Sequence, residues 1–357
     1  MSAIKVSLRN VSKVYGDNPA ASLALLRNGA GRDALFASTG STAALDDVSL
    51  DIPDGGICVL MGLSGSGKST LLRTINGLVA PSAGQVLVDG VDLAGMKQKQ
   101  LQQVRRGGIG MVFQSFALLA HRNVIDNVCF GLEIAGVKRS ERLQRASTAL
   151  EQVGLHAHAQ QFPHQLSGGM RQRVGLARAL AVQPSLLLMD EAFSALDPLK
   201  RREMQDLLLS LQREQRRTIV FVSHDIEEAL HIGDRIAIMH GGRLLQYATP
   251  RALLSNPADE HVRAFFQGVD TSRYLQATDL IDHEASATAA ASSPATTAQA
   301  NSPALAHVAA HAPLAELLPR LTDFRAPLAV RDASGATLGL ITAASALRIL
   351  SRSGARI

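Results

Sequence analysis

The stretch Gly62-Leu63-Ser64-Gly65-Ser66-Gly67-Lys68-Ser69-Thr70 constrains this chain more than any other, because it fits the pattern G-x-x-x-x-G-K-[ST]. Its surroundings fit as well. An apolar run, Ile57-Cys58-Val59-Leu60-Met61, enters the loop as a buried strand would, and Leu71-Leu72-Arg73-Thr74-Ile75 leaves it as a helix. Glycines at 62, 65 and 67 let the backbone wrap close to an anion with successive N–H groups turned inward. The helix beginning near Lys68 adds its positive dipole end. Such a loop holds a triphosphate. The candidate phosphate contacts are Gly62, Ser64, Gly65, Ser66, Gly67, Lys68, Ser69 and Thr70. Lys68 is expected against the β- and γ-phosphates as a point charge, and the Ser69 hydroxyl in one coordination position of Mg²⁺.

A chain of 357 residues is long enough for about two domains. Hydrophobic residues make up 46% and charged residues 19%, the composition of a soluble globular protein, and no apolar run reaches the ~18 residues of a membrane-spanning helix. Met1 to Asn10 lack an apolar core and a small-residue cleavage site, so no secretory signal is expected and the chain is placed in the cytosol. Cys58 and Cys129 lie in apolar surroundings far from any Cys or His pair, and read as small core residues rather than metal ligands. The net charge of +5 is spread out, with no aromatic residues interleaved among Lys and Arg, so no nucleic-acid partner is expected.

Along the chain, Ile4, Val6 and Leu8 alternate with polar residues, which predicts a half-buried strand over 3–10. Tyr15 follows just past it. Its ring could stack on a nucleotide base or serve in packing. Residues 17–44 are rich in Ala, Gly, Ser and Leu with weak helical periodicity, and look like an insertion. A strand at 48–52 and the turn Pro53-Asp54-Gly55-Gly56 lead into the phosphate loop. A strand is expected at 85–88, a polar helix from Lys97 to Arg106, and a buried strand at 109–113. That last strand delivers Gln114 at its end, where it could reach Mg²⁺ or an attacking water, or act as a loop hydrogen-bonder. From Asn123 to about Gln161 apolar residues recur at three- and four-residue spacing, the mark of a helical subdomain. His121, His156, His158 and His164 in that region have no paired carboxylate or cysteine and read as surface residues.

Further on, Ser167 is placed as the N-cap of a helix whose start, Gly168-Gly169, leaves backbone N–H groups open. This is a second anion site. One nucleotide seldom needs two phosphate clamps unless each belongs to a different face of a composite site. The buried strand Ser185-Leu186-Leu187-Leu188-Met189 ends in Asp190 and Glu191. Asp190 is expected to bind Mg²⁺ through water, and Glu191 to polarise the water that attacks the γ-phosphate. The turn Ser194-Ala195-Leu196-Asp197 could cross to a partner subunit. A β-branched strand at 218–222 then delivers His224, a candidate hydrogen-bond donor to the γ-phosphate.

This set, in this order, resembles the ATP-binding subunit of ABC transporters. The matching motifs are the Walker A loop at 62–70, the Q-loop residue Gln114, the signature from Leu166 to Met170, Walker B with Glu191, the D-loop Ser194 to Asp197 and the switch residue His224. The resemblance covers residues 4 to about 270. It implies an α/β fold: a P-loop NTPase core of ABC type with an antiparallel β subdomain and a helical subdomain at about 115–175. It also implies ATP and Mg²⁺ as cofactors, with Glu191, His224 and Gln114 catalytic and Ser69, Gln114 and Asp190 around the metal. Tyr15 fits the adenine-stacking position. Two copies would pair head to tail, each ATP lying between the phosphate loop of one and Ser167, Gly168 and Gly169 of the other. The signature departs from its commonest form by carrying Met170 where Gln is usual. Because backbone amides and Ser167 do the phosphate work, the change is expected to be tolerated.

The wording of the phosphate loop, the signature Leu-Ser-Gly-Gly-Met-Arg-Gln-Arg-Val and the insertion before residue 45 resemble the quaternary-amine importer branch, whose cargo is glycine betaine, proline betaine or choline. That resemblance implies a separate membrane permease, an associated substrate-binding protein and a position on the cytoplasmic face of the inner membrane. An amino-acid importer is the nearest alternative. A non-transport ABC ATPase acting on DNA or ribosomes is the other, and its usual coiled-coil or zinc insertions are not visible. After an ATPase domain over 1–272, residues 273–311 are expected to form a linker dominated by Ala, Ser, Thr and Pro. The order helix, strand, turn, strand, helix over 312–357 resembles one CBS module. Pairing with its copy and a vestigial tail are both open.

Overall fold

In this computed structural model the described residues are 3–282, 306–323 and 327–352. Two compact units divide between Tyr247 and Ala248. The first begins β1 (Ile4–Tyr15), α1 (Pro19–Arg27), α2 (Arg32–Thr39), β2 (Thr42–Pro53), β3 (Ile57–Met61), α3 (Lys68–Ile75), β4 (Ala83–Val88), β5 (Val91–Asp92), α4 (Gln98–Gly108) and β6 (Ile109–Val112). It continues α5 (Val124–Ile134), α6 (Arg139–Gln152), α7 (Gly168–Ala181), β7 (Leu186–Asp190), α8 (Pro198–Gln215), β8 (Thr218–Val222), α9 (Ile226–Ile232), β9 (Arg235–His240) and β10 (Arg243–Ala248).

The central sheet has the order β10-β9-β3-β8-β7-β6, and β9, β3, β8, β7 and β6 are mutually parallel. Parallel strands are covered on both faces, which is why β3, β7 and β8 are buried at every residue and read as unbroken apolar runs. β1 pairs antiparallel with both β2 and β4 in a second sheet, β2-β1-β4-β5. One core joins the two sheets. Val6, Leu8, Leu50 and Val86 from the antiparallel sheet, Leu71, Leu72 and Ile75 from α3, and Leu60, Leu188 and Val220 from the parallel sheet belong to a single buried cluster. Cys58 lies in it, and burial pushes its thiol up to about 12, so it is inert packing.

The first strand expected over 3–10 runs on to Tyr15, which is its last residue rather than a residue beyond it, and the second strand, expected over 48–52, spans Thr42–Pro53. A bulge explains both. Asn10 and Asp47 adopt left-handed φ values of 49° and 56°, their side chains are hydrogen-bonded at 2.9 Å, and the register shifts between Leu8 and Val11. Past a bulge the in-and-out alternation changes phase, and the period-2 pattern is lost to inspection. The insertion folds as α1 and α2, whose Leu23, Leu26 and Leu35 make a small core with Val14 and Ala43. The helical region holds α5, α6 and α7 packed on one another through Val128, Leu132, Leu150 and Val174.

The second unit contains α10 (Pro250–Ser255), α11 (Glu260–Phe265), β11 (His307–Ala309), α12 (Leu314–Asp323), β12 (Leu328–Arg331), β13 (Thr337–Ile341) and α13 (Ala343–Arg352). β11 runs parallel to β12 and β12 antiparallel to β13. Residues 273–282, expected within the linker, are instead built into this unit. Short 3₁₀ turns at Thr271–Arg273 and Ala277–Leu280 are tied to the later elements by Ala277 N donating to Ala312 O, Leu314 N to Leu275 O and Asp282 N to Leu340 O. Arg251 on α10 grips the same turn, with two bonds to Asp279 and one each to Gln276 and Thr278. Much of the expected linker, 283–305, lies outside the described residues. Among the described residues no helix is long and apolar enough to cross a membrane.

Phe221 on β8 and Phe193 after β7 are both fully buried, with ring centroids 5.3 Å apart. Phe221→Ala is expected to cost about 3–5 kcal/mol. In urea unfolding the midpoint should fall at unchanged slope, and a loss below about 1 kcal/mol would show that this pair does not anchor the sheet.

Candidate active site

The phosphate loop leaves the carboxyl end of β3 and enters α3, and two of its glycines are required by close approach. A Cβ at Gly62 (φ +153°) would meet the Met239 carbonyl oxygen at 2.2 Å, and one at Gly67 (φ +99°) the Ala44 carbonyl oxygen at 2.4 Å. Lys68 is buried, and its Nζ donates to Gly62 O at 2.7 Å and Leu63 O at 2.9 Å. The ammonium is thus folded back on its own loop. Burial lowers its pKa from the usual lysine value, and Glu191 and Asp190 pull the other way.

The two carboxylates after β7 point to different partners. Ser69 Oγ donates to Asp190 Oδ1 at 2.8 Å, and Arg73 Nη2 lies 3.4 Å from Asp190 Oδ2. Glu191 has left-handed backbone (φ +47°), and its Oε2 accepts from Gln114 Nε2 at 3.2 Å and lies 3.5 Å from His224 Nδ1. Ser194 Oγ donates to Glu191 O at 2.9 Å and accepts from Gln114 Nε2 at 3.4 Å. Glu191, His224 and phosphate-loop residues between Ser64 and Thr70 line one cavity of about 370 Å³.

Loop, carboxylates, glutamine and histidine therefore converge, as residues at the carboxyl ends of adjacent parallel strands do. A family model described as ABC transporter matches residues 45–194. The chain is 53% identical over 278 residues to the glycine betaine/proline betaine transport system ATP-binding protein ProV of Escherichia coli (strain K12), covering 78% of this chain and 70% of that protein. The glycine betaine transport ATP-binding protein OpuAA of Bacillus subtilis (strain 168) is 48% identical over 274 residues, 77% of this chain and 66% of that one. The dimeric structure of the bacterial ABC transporter cassette MJ0796 superposes with a TM-score of 0.58 at 34% identity, covering 69% of this chain and 99% of the cassette. The chain belongs to the ATP-binding subunits of ABC transporters. It is an ATP-hydrolysing subunit of P-loop fold that works with ATP and Mg²⁺, and the homodimeric ATP sandwich is the arrangement typical of such ABC cassettes.

The residues present fit those cofactors. Glycine at 62 and 67 lets the loop pass the Met239 and Ala44 carbonyls and keep its phosphate-binding shape, and Ser69 with Asp190 offers two hard oxygens 2.8 Å apart. Among the described residues no group of three or more His, Cys, Asp or Glu could hold a metal. Two protein oxygens completed by phosphate and water are what Mg²⁺ usually takes. Gly62, Ser66, Gln114 and Asp190 are hydrogen-bonded to residues that line the cavity, and four other candidates stand apart from it. Ser167 caps α7, accepting from Met170 N at 3.3 Å, and with Gly168 and Gly169 it does not line the site of its own chain. Tyr15 is 45% exposed at the end of β1, with Lys13 Nζ 4.9 Å from its ring centroid.

Sequence reasoning missed Arg73 and the bonds of Ser194 to Glu191 and Gln114. Arg73 was findable, since it lies one helical turn after Ser69 and so on the same face. Also missed was Glu228 on α9, 6% exposed, which accepts from Ser223 Oγ and, at 3.1 Å, from Gln205 Nε2. Burial pushes its carboxyl above the usual value, and the bonds from Ser223 and Gln205 pull it back. A carboxyl whose pKa is raised on folding contributes stability that is complete below its unfolded pKa of about 4.3 and is lost as pH rises through the raised value. Glu228→Gln removes that dependence. Relative to the variant, the wild-type chain should gain stability as pH is lowered from neutral toward the unfolded value. Urea midpoints that move in parallel for the two proteins across that window would contradict it.

Proposed function

We propose that this chain energises import of a quaternary amine osmoprotectant, such as glycine betaine, proline betaine or choline, through a separate membrane permease fed by a substrate-binding protein. It would act at the cytoplasmic face of the inner membrane. The observation that carries the cargo class is the 53% identity, over 278 residues, to a glycine betaine/proline betaine transport protein.

In this reading Lys68 Nζ leaves the carbonyls of Gly62 and Leu63 for the β- and γ-phosphates, and the loop amides and Thr70 hold the remaining phosphate oxygens. Ser69 and Asp190 hold Mg²⁺, with Gln114 reaching it or the attacking water. Mg²⁺ supplies neutralisation of the charge that develops on the phosphoryl group. Glu191 accepts hydrogen-bonded water and polarises it for in-line attack. His224, already beside Glu191, donates to the γ-phosphate. Ser167, Gly168 and Gly169 of a second, head-to-tail copy close the site from the opposite side, and Tyr15 stacks on adenine. That pairing explains why Ser167 caps a helix whose open end faces no phosphate loop of its own chain.

A groove of about 560 Å³ between the parallel sheet and the helical region supports a permease partner. It is lined by Phe113, Ala117, Phe130 and Ile134, with Arg106 and Arg178 at its polar parts. Arg178 also donates to the carbonyls of Phe116 and Ala117, so an apolar helix of the permease seated near 116–122 would press on the segment that carries Gln114. Residues 312–357, part of the second unit, are read as one CBS-like module that pairs with its copy.

Two measurements test the reading. Glu191→Gln should retain ATP binding while hydrolysis slows by roughly 10²–10⁴-fold, the usual weight of a general base, and near-normal turnover would remove that assignment. Lys68→Ala should abolish uptake of labelled glycine betaine or choline in a host lacking other carriers. Unchanged uptake of both, with amino-acid uptake lost instead, would move the cargo to the amino-acid class.

A further inference from the structure

Behind His224 lies a buried polar cluster that the chemistry above does not use. Glu228 accepts from Ser223 Oγ and from Gln205 Nε2 of α8. Ser223, 2% exposed, also accepts from Asp225 N at 3.0 Å. Asp225 Oδ1 accepts from Glu228 N at 3.1 Å, and Asp225 Oδ2 accepts from Arg201 Nη1 at 2.9 Å. The other guanidinium nitrogen, Arg201 Nη2, donates to Leu196 O at 3.2 Å, inside the turn Ser194–Asp197. His224 is thus flanked by two anchored residues, Ser223 on Glu228 and Asp225 on Arg201. Its own side chain is 60% exposed and has Glu191 as a neighbour.

Starting α9 needs only the Asp225 cap. A carboxyl withdrawn from water costs stability, so a further buried carboxyl and a guanidinium converging on the same three residues require another reason. Fixing the backbone on both sides of an exposed imidazole limits where that ring can swing, which is what a hydrogen bond to a phosphate formed only late in the reaction demands.

We propose that Glu228 and Arg201 are positioning residues for His224, and that Arg201 makes the 223–225 turn order together with the 194–197 turn. This rests on the phosphate-facing role given to His224 above. Were the 194–197 turn to meet the second copy in the head-to-tail pairing, Arg201 would carry that contact to the histidine. Neither residue lines the cavity. Their effect is on where His224 stands.

The test is steady-state ATP hydrolysis by the full chain carrying Glu228→Gln or Arg201→Gln, each alone and combined with His224→Ala. Both single variants should lower kcat about tenfold and leave KM for Mg·ATP within about twofold, because the histidine's hydrogen bond to the phosphate is made in the transition state. Glu228→Gln should do so without lowering the urea midpoint at neutral pH, which separates it from a structural role. In the His224→Ala background neither change should slow the enzyme further. Wild-type kcat in both single variants would overturn the proposal, as would losses that multiply with the loss from His224→Ala. If Glu228→Gln does not fold, Arg201→Gln decides alone, since that side chain is only partly buried. His224→Ala at wild-type turnover would instead remove the role of the histidine, and a slow His224→Ala beside unaffected single variants would remove only the positioning.

Discussion

Leu60, Val222 and Asp190 lie level with one another in the parallel ladder, Leu60 paired with Val222 and Val222 with Asp190. Val112 on the outer strand is level with Met189, one residue short of that line. Each strand stops within one residue of that line, so the segments leaving the strands are forced into one small volume: the phosphate loop after β3, His224 after β8, Glu191 after β7 and Gln114 after β6. Backbone bonds continue the ladder one step into the loops, with Ser223 N donating to Leu60 O and Glu191 N to Val222 O. Slipping any of these strands by two residues would move its loop by about 7 Å, more than the hydrogen-bond distances in the cavity. Catalytic geometry is thus a consequence of apolar packing on both faces of the sheet.

Given that convergence, two carboxylates in sequence would repel and compete for the same cation unless they diverge. The left-handed backbone at Glu191 separates them. Asp190 stays with the strand direction and meets Ser69 and Arg73, while Glu191 turns toward Gln114 and His224. In the proposed function one residue would serve the metal side and the next the water side. Strain in the backbone is tolerated here because Ser194 holds the Glu191 carbonyl from the following turn.

Motif residues were legible because their chemistry is tied to position: glycines where a Cβ would collide, carboxylates and an imidazole directly after apolar runs. The Ser167 cap was readable too, from a serine directly before two glycines at a helix start. The features that escaped inspection have local causes. The bulge at Asn10 and Asp47 hid the full length of the first two strands, because it shifts the phase of burial. Residues 273–282 carry no local pattern that sets them off from the linker composition, because their partners, Ala312, Leu314 and Leu340, are distant in sequence. The Arg201–Asp225 and Glu228–Gln205 contacts cross between two helices, and nothing in either helix's own pattern marks them.

The same distinction bears on Met170, which stands where the signature usually has glutamine. At this helix start the Met170 backbone N–H donates to Ser167, a bond that does not use the side chain of residue 170. The first amides of α7 are open because no residue precedes them in the helix to accept from, and this is true for any side chain there. Gly168 and Gly169 are different under the proposed head-to-tail pairing, in which the second copy's nucleotide would have to approach their backbone closely. Identity is therefore demanded where backbone meets phosphate, and relaxed where only a helix position must be filled.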